Sequence, residues 1–66
     1  MTIGKKIKDS RAEKELSQDK LAAELNISRS ALALYETNKR QVPNDLLPKL
    51  ANFFDVTIDY LFGRED

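Results

Sequence analysis

Residues 17–38, SQDKLAAELNISRSALALYETN, decide the fold of this chain. Ser17 and Ser28 are favourable N-cap residues, and each precedes a run with helical periodicity. Apolar residues recur between and after the caps at spacings of about three and four, as they do on the buried face of a helix: Leu21, Ala22, Leu25, Ile27, Leu32 and Tyr35. The stretch therefore predicts two short helices, at about 18–25 and 29–36, joined by a tight turn.

Two helices joined this tightly cross at a steep angle, so the second can project from the surface. This arrangement, at about residues 17–36, is a helix-turn-helix, and its second helix commonly enters the major groove of DNA. The stretch therefore predicts a small sequence-specific DNA-binding domain, provided that the rest of the chain agrees.

The composition excludes several other classes of protein. The 66 residues allow one domain with one core. The sequence has no Cys and no His, which excludes disulfides, the common zinc sites and the usual nucleophile–imidazole catalysts. No apolar run approaches the length of a membrane span, and the start MTIGKKIKD lacks the apolar core of a signal peptide. We expect a soluble cytoplasmic protein that is not an enzyme and has no metal, cofactor, membrane or evident small-molecule partner.

The net charge is zero, whereas DNA-binding domains are usually basic. Residues 1–41 contain nine Lys or Arg against six acids, and residues 42–66 contain two against five. The basic excess therefore lies in the segment with the helix-turn-helix, although ordinary solvated surface would also give such an asymmetry. Asp19, in the first turn of the second helix, is explained by the favourable effect of a negative charge near the positive end of the helix dipole.

Helices are also predicted on both sides of the helix-turn-helix. Residues 2–14 form the first, with Thr2 as its N-cap and Ile3 and Ile7 along its inner stripe. Gly4 falls in its first turn, where a glycine is expected to cost little.

The C-terminal part predicts two more helices, at about 44–62. One begins at Asn44 or Asp45, and Pro48 should make its first turn irregular. Thr57 caps a last short helix that Gly63 ends. Nothing reads as a strand, so the predicted fold class is all-α with five helices.

Four segments of the chain together resemble the Cro/C1-type helix-turn-helix family, which includes phage repressors and many small bacterial regulators. They are IGKKIKDSR, LSQDKLAAELNISRSALALYE, NKRQVP and LPKLANFFDVTIDYLFG. The resemblance implies a single compact phage-repressor-like domain over residues 1–66. Asn38 and Asp55 stand where the family commonly has Gly, and both residue types tolerate positive φ. The stretch from Pro43 to Leu47 is about one residue shorter than the family pattern, which leaves the start of the fourth helix open.

The resemblance implies that the N-terminal end of the third helix reads base edges, through Ser28, Arg29, Ser30 and Leu34. Arg29 can form a bidentate pair with O6 and N7 of guanine, worth about 1–3 kcal/mol of discrimination. Leu34 is apolar but lies nearly opposite Leu32 on the helix. A thymine methyl group is one partner for Leu34, and an ordinary exposed leucine is the alternative.

The family places phosphate contacts at the start of the second helix and in the loop after the third. The matching residues here are Ser17, Gln18, Thr37, Asn38, Lys39 and Arg40. A helix N-terminus offers free N–H groups and the positive end of its dipole to a phosphate. A simple helix cap is the alternative for Ser17, and a solvated loop is the alternative for Lys39 and Arg40.

The family also pairs an Arg of the first helix with a Glu at the end of the third, and Arg11 and Glu36 match these positions. Arg11 shares the inner stripe with Ile7, so it should be partly buried and should require a partner. We interpret the two residues as a structural ion pair that holds the recognition helix against the first helix.

One recognition helix reads only a few base pairs, and such proteins usually bind as two-fold dimers on half-sites about 34 Å apart. Residues 53–62 contain more apolar side chains than one short helix can bury. Some of Phe53, Tyr60 and Phe62 should therefore be left for a partner subunit. The alternative is that all three pack into the core of one protomer.

Three function classes follow. The first is a transcriptional regulator, most simply a repressor, that binds double-stranded operator DNA as a homodimer. The second is an antitoxin that binds DNA in the same way and also neutralises a protein. The third is a helix-turn-helix used only for protein–protein contact, which would have no salt-dependent affinity for DNA.

Overall fold

The computed structural model describes residues 2–64, which form five helices and no strand. In chain order they are α1 (Ile3–Glu13), α2 (Gln18–Leu25), α3 (Arg29–Glu36), α4 (Leu46–Phe54) and α5 (Ile58–Leu61). The prediction of an all-α fold with five helices is therefore confirmed. No helix within residues 2–64 is both long enough and apolar enough to cross a membrane.

Side-chain caps begin four of the helices, and all four were expected from the sequence. In each case the hydroxyl oxygen accepts from the backbone N–H three residues later, at 3.0 to 3.3 Å: Thr2, Ser17, Ser28 and Thr57. Helix α4 differs, because Asp45 makes no side-chain cap and already has a helical backbone conformation. The amides of Leu46 and Leu47 instead donate to the carbonyls of Pro43 and Asn44, at 3.0 and 3.3 Å. A turn therefore leads into α4, which is helical from Leu46 through Pro48.

Within the part of the chain that the structure describes, four residues other than glycine adopt a left-handed backbone conformation. Asn38 has φ 61° and Asp55 has φ 56°, in agreement with their position at family glycines. Asn26, with φ 59°, ends α2, and Glu15 has φ 56° in the connection after α1. Asn and Asp are the residues other than glycine that adopt this conformation most easily, so Glu15 is the costliest of the four.

The core draws on every helix and on one loop. Five of the six apolar positions predicted in the helix-turn-helix are buried, and Ile27 is half-buried against them. Ile7 of α1, Leu50 of α4 and Leu61 of α5 are among the fully buried side chains. Val42, in the loop before α4, is also buried, which the loop sequence did not indicate. The C-terminal helices α4 and α5 therefore complete the core on which the helix-turn-helix packs.

Gly4 allows α1 and α3 to approach each other closely. A Cβ atom at this position would collide with the carbonyl oxygen of Tyr35 and would lie 2.7 Å from that of Glu36. The Gly4 amide donates to Oδ1 of Asn38 at 3.3 Å, and Nδ2 of Asn38 donates to Oγ1 of Thr2 at 2.9 Å. The sequence explained Gly4 only as a tolerable first-turn residue. In the fold it makes room for the end of α3.

We predict that Gly4→Ala destabilises the domain by about 1–3 kcal/mol, because the backbone carbonyls beside it cannot move away from a new methyl group. Helix propensity alone predicts the opposite sign, by up to about 1 kcal/mol. Urea denaturation measures the difference. The control is Lys8→Ala at an exposed position of the same helix, which should change stability by no more than about 0.5 kcal/mol. A Gly4→Ala protein as stable as the parent would contradict the close approach.

Candidate nucleic-acid interface

The turn between α2 and α3 is closed by backbone hydrogen bonds. The amides of Asn26 and Ile27 donate to the carbonyls of Ala23 and Ala22, at 3.1 and 3.0 Å. The left-handed conformation of Asn26 reverses the chain, and Ser28 caps α3 immediately afterwards. Helix α3 therefore begins at the surface, and its buried side consists of Leu32, Tyr35 and Glu36.

The residues predicted to contact bases lie at the start and middle of α3. Ser28, Arg29 and Ser30 are exposed, and Leu34 is half-buried. The hydroxyl oxygen of Ser28 accepts from the amide of Ala31 at 3.0 Å, so its hydrogen is still free to donate. Arg29, Ser30 and Ser28 thus offer hydrogen-bonding groups to solvent at the N-terminal end of α3.

Arg29 has an acidic neighbour on α2. Its Nε lies 3.8 Å from Oδ1 of Asp19, and both side chains are largely exposed, at 66% and 75%. The sequence accounted for Asp19 only through the dipole of its own helix. The tertiary structure brings it beside the residue predicted to read guanine.

The residues predicted to contact phosphates fall into two groups. Three of their side chains already have hydrogen-bond partners: the Gln18 amide donates to Glu36, the Thr37 hydroxyl donates to the carbonyl of Ala33, and Asn38 bonds to Gly4 of α1 and to its N-cap, Thr2. Ser17 accepts from a backbone amide as a cap. Lys39 and Arg40 are exposed, and within residues 2–64 their side chains have no hydrogen bond or ion pair. Their amides donate to the carbonyl of Leu34, at 2.9 and 3.3 Å, which holds the loop against the end of α3.

The Glu36 carboxylate joins three helices. Arg11 donates to it twice, from Nε to Oε2 at 2.7 Å and from Nη2 to Oε1 at 3.2 Å. Nε2 of Gln18 donates to Oε1 at 3.0 Å. The remaining Nη1 of Arg11 donates to the carbonyl of Leu16 at 2.9 Å. The Glu36 side chain is 2% exposed and that of Arg11 is 16% exposed. The two residues that the family resemblance pairs are thus in contact, and Gln18 is a third member that the sequence did not indicate.

The three aromatic residues suggested for a subunit contact differ in their surroundings. Phe53 is half-buried and packs edge-to-face against Phe54, with ring centroids 5.3 Å apart. Tyr60 is half-buried, with Nζ of Lys6 4.0 Å from its ring centroid. Phe62 is 37% exposed, as is Ile58 one turn before it. Within residues 2–64, the exposed large apolar side chains are therefore Ile58, the first residue of α5, and Phe62, its C-cap.

Comparison with known proteins gives a family and several relatives. The family model described as helix-turn-helix matches residues 7–61. The HTH-type transcriptional regulator ImmR of Bacillus subtilis (strain 168) is 36% identical over 66 residues, which are 100% of this chain and 52% of ImmR. This chain therefore spans about half the length of that relative.

Two solved structures share the fold. The crystal structure of SinR, a master regulator for biofilm formation, in complex with DNA matches with a TM-score of 0.81 and 33% identity, over 91% of this chain and 97% of that one. The P22 c2 repressor in complex with a synthetic operator matches with a TM-score of 0.90 over 98% of both chains. At 20% identity, this second likeness concerns the fold alone.

We predict that Glu36→Ala lowers the free energy of unfolding by about 3 kcal/mol or more, because it leaves Arg11 largely buried without a counter-charge. Glu36→Gln should have an intermediate effect, since it keeps the size of the side chain and loses only its charge. The matched control is Glu24→Ala, which removes an exposed partner of Lys20 at 3.8 Å and should cost no more than about 1 kcal/mol. Equal effects of Glu36→Ala and Glu24→Ala in urea denaturation would contradict this account.

Proposed function

This chain belongs to the helix-turn-helix family, and we propose that it is the DNA-binding domain of a transcriptional regulator, most simply a repressor. The match of the family model over residues 7–61 confirms the resemblance seen in the sequence. The observation that carries the proposal is the exposed N-terminal end of α3, presented by a helix-turn-helix that is 33% identical to a protein crystallised with DNA. The proposed role would place the protein in the cytoplasm.

We propose that α3 lies in the major groove and reads base edges with its exposed side. Arg29 donates two hydrogen bonds to O6 and N7 of a guanine, and Ser28 and Ser30 form less specific hydrogen bonds. Leu34, half-buried and one turn further along, contacts a thymine methyl group. The small residues Ala31 and Ala33 leave room for the backbone of α3 to approach the bases.

Phosphate contacts are proposed for the groups with hydrogens still to donate. Lys39 and Arg40 are exposed cations beside the end of α3. Gln18 and Asn38 each use one amide hydrogen inside the protein and have a second to offer a phosphate oxygen. The Ser17 hydroxyl can donate while its oxygen caps α2. The hydroxyl hydrogen of Thr37 is directed to the Ala33 carbonyl at 2.8 Å, so we propose that Thr37 acts mainly by ending α3.

A homodimer on a two-fold symmetric operator is proposed because one recognition helix covers only a few base pairs. Ile58 of α5 and its C-cap Phe62 are the apolar side chains of this segment with most surface left to bury, and Tyr60 lies between them in sequence. We therefore centre the proposed subunit contact on Ile58 and Phe62. Phe53 packs within its own protomer, so it is a peripheral member at most.

Binding to duplex DNA should depend steeply on salt, because neutralising phosphates releases counterions. We predict that Lys39→Ala/Arg40→Ala reduces the slope of log affinity against log salt concentration by about 2 for each bound protomer, which is about 4 for the dimer. DNA from upstream of the gene, titrated at several salt concentrations, provides the measurement. Lys5→Ala/Lys8→Ala is the matched control, since it removes the same charge from the outer side of α1. A slope of zero for the parent protein would reject DNA binding and leave the protein-interaction class.

If Ile58 and Phe62 form the subunit contact, we expect Ile58→Lys/Phe62→Lys to change the protein from a dimer to a monomer in analytical ultracentrifugation. In the dimer of this variant, the two new ammonium groups of one protomer would face those of its partner, so electrostatic repulsion would replace the apolar contact. Asn44→Lys/Asn52→Lys adds the same charges at exposed positions outside α5 and should leave the dimer intact. Circular dichroism checks that both variants fold. A monomeric parent, or an unchanged dimer in the Ile58/Phe62 variant, would contradict the proposed surface.

A further inference from the structure

We propose that Asp19 determines sequence specificity by holding the guanidinium group of Arg29 in the orientation that reads guanine and by keeping it away from the phosphate backbone. This inference rests on the proposed function. Its basis is the ion pair between the first turns of α2 and α3, which places an acid on the surface that would face DNA.

Arg29 and Asp19 are ion-pair partners on adjacent helices. Arg29 is the first residue of α3, and Asp19 is the second residue of α2. Among residues 2–64, Asp19 is the only acid within ion-pair distance of Arg29, with Nε to Oδ1 at 3.8 Å. The other acid of α2, Glu24, pairs with Lys20 at 3.8 Å. Two residues ten positions apart are thus brought together by the crossing of α2 and α3.

The position of the Asp19 carboxylate near Nε leaves the two terminal nitrogens of Arg29 free. A guanidinium group has five N–H donors in a planar fork, and here Nε is the atom nearest to the carboxylate. The two terminal nitrogens are then available for O6 and N7 of guanine. An exposed pair of this kind contributes little to stability in water. The attraction between Arg29 and Asp19 becomes stronger when bound DNA displaces the water around them. The orientation of Arg29 matters in that bound state.

The carboxylate also disfavours the alternative position of Arg29. Phosphate contacts contribute affinity without sequence information, and a long flexible Arg at a groove edge can reach either bases or phosphates. Asp19 repels nearby phosphates and gives Arg29 a counter-charge within the protein. The protein therefore has lower non-specific affinity and better discrimination than it would have without this acid.

The experiment is a binding selection from duplexes with a randomised central segment, carried out with the parent, Asp19→Asn, Arg29→Ala, the double variant and Glu24→Gln. Affinities for the selected duplex and for its single-base substitutions are then measured at several salt concentrations. Glu24→Gln is the matched control, because it removes one negative charge from the same helix without touching Arg29. Urea denaturation verifies that every variant folds.

We expect the parent and Glu24→Gln to require a guanine at one position of each half-site. Asp19→Asn should lose roughly tenfold of that discrimination and bind non-cognate DNA more tightly, with a salt slope steeper by up to about one unit for each bound protomer. In the Arg29→Ala background, Asp19→Asn should have no further effect on base preference.

Three results would overturn the inference while leaving DNA binding intact. They are an unchanged guanine preference in Asp19→Asn, an equal loss in Glu24→Gln, and an effect of Asp19→Asn on base preference that persists without Arg29. The last would mean that Asp19 contacts a base itself. If the parent shows no salt-dependent binding to any duplex, the proposed function fails and this inference fails with it.

Discussion

The buried carboxylate of Glu36 is the constraint on which the arrangement of the first three helices depends. A charge that is almost entirely removed from water is tolerated only when it is paired and hydrogen-bonded. Glu36 receives three hydrogen bonds, two from Arg11 and one from Gln18, and both of its oxygens are used. Because the donors come from α1 and α2 and the acceptor ends α3, satisfying this one group sets the relative positions of all three helices.

A second contact holds the same helices where α3 ends and α1 begins. Asn38 accepts from the Gly4 amide and donates to Thr2, and the absence of a side chain on Gly4 lets the two backbones meet. The left-handed conformation of Asn38 directs its side chain back to α1 while Lys39 and Arg40 continue outward. One short turn therefore both attaches α3 to the scaffold and presents two cations beside it.

Several polar groups proposed to contact DNA are therefore also structural. Gln18 and Asn38 each hold α3 with one amide hydrogen and have another to donate outward, so phosphate contacts through them would connect directly to the network that positions the recognition helix. This arrangement suits a chain of zero net charge. Its proposed affinity for DNA depends on where a few donors and cations are held, and Asp19 beside Arg29 is part of that local pattern.

Local physical chemistry in the sequence was sufficient for the helix-turn-helix, and the resemblance of four segments indicated the family. Hydroxyl caps and apolar spacing depend on residues three or four positions apart, so Ser17, Ser28 and the buried stripe between them could be read directly. Contacts between distant residues required the tertiary structure. The reason for Gly4, the burial of Val42, the hydrogen bond from Gln18 to Glu36 and the approach of Asp19 to Arg29 all depend on how helices cross. The same is true of α5 and its C-cap, where Leu61 packs into the core and Tyr60 packs against Lys6, while Ile58 and Phe62 are left exposed. Spacing along one helix cannot specify such distances, because they are set by the angle and separation between two helices.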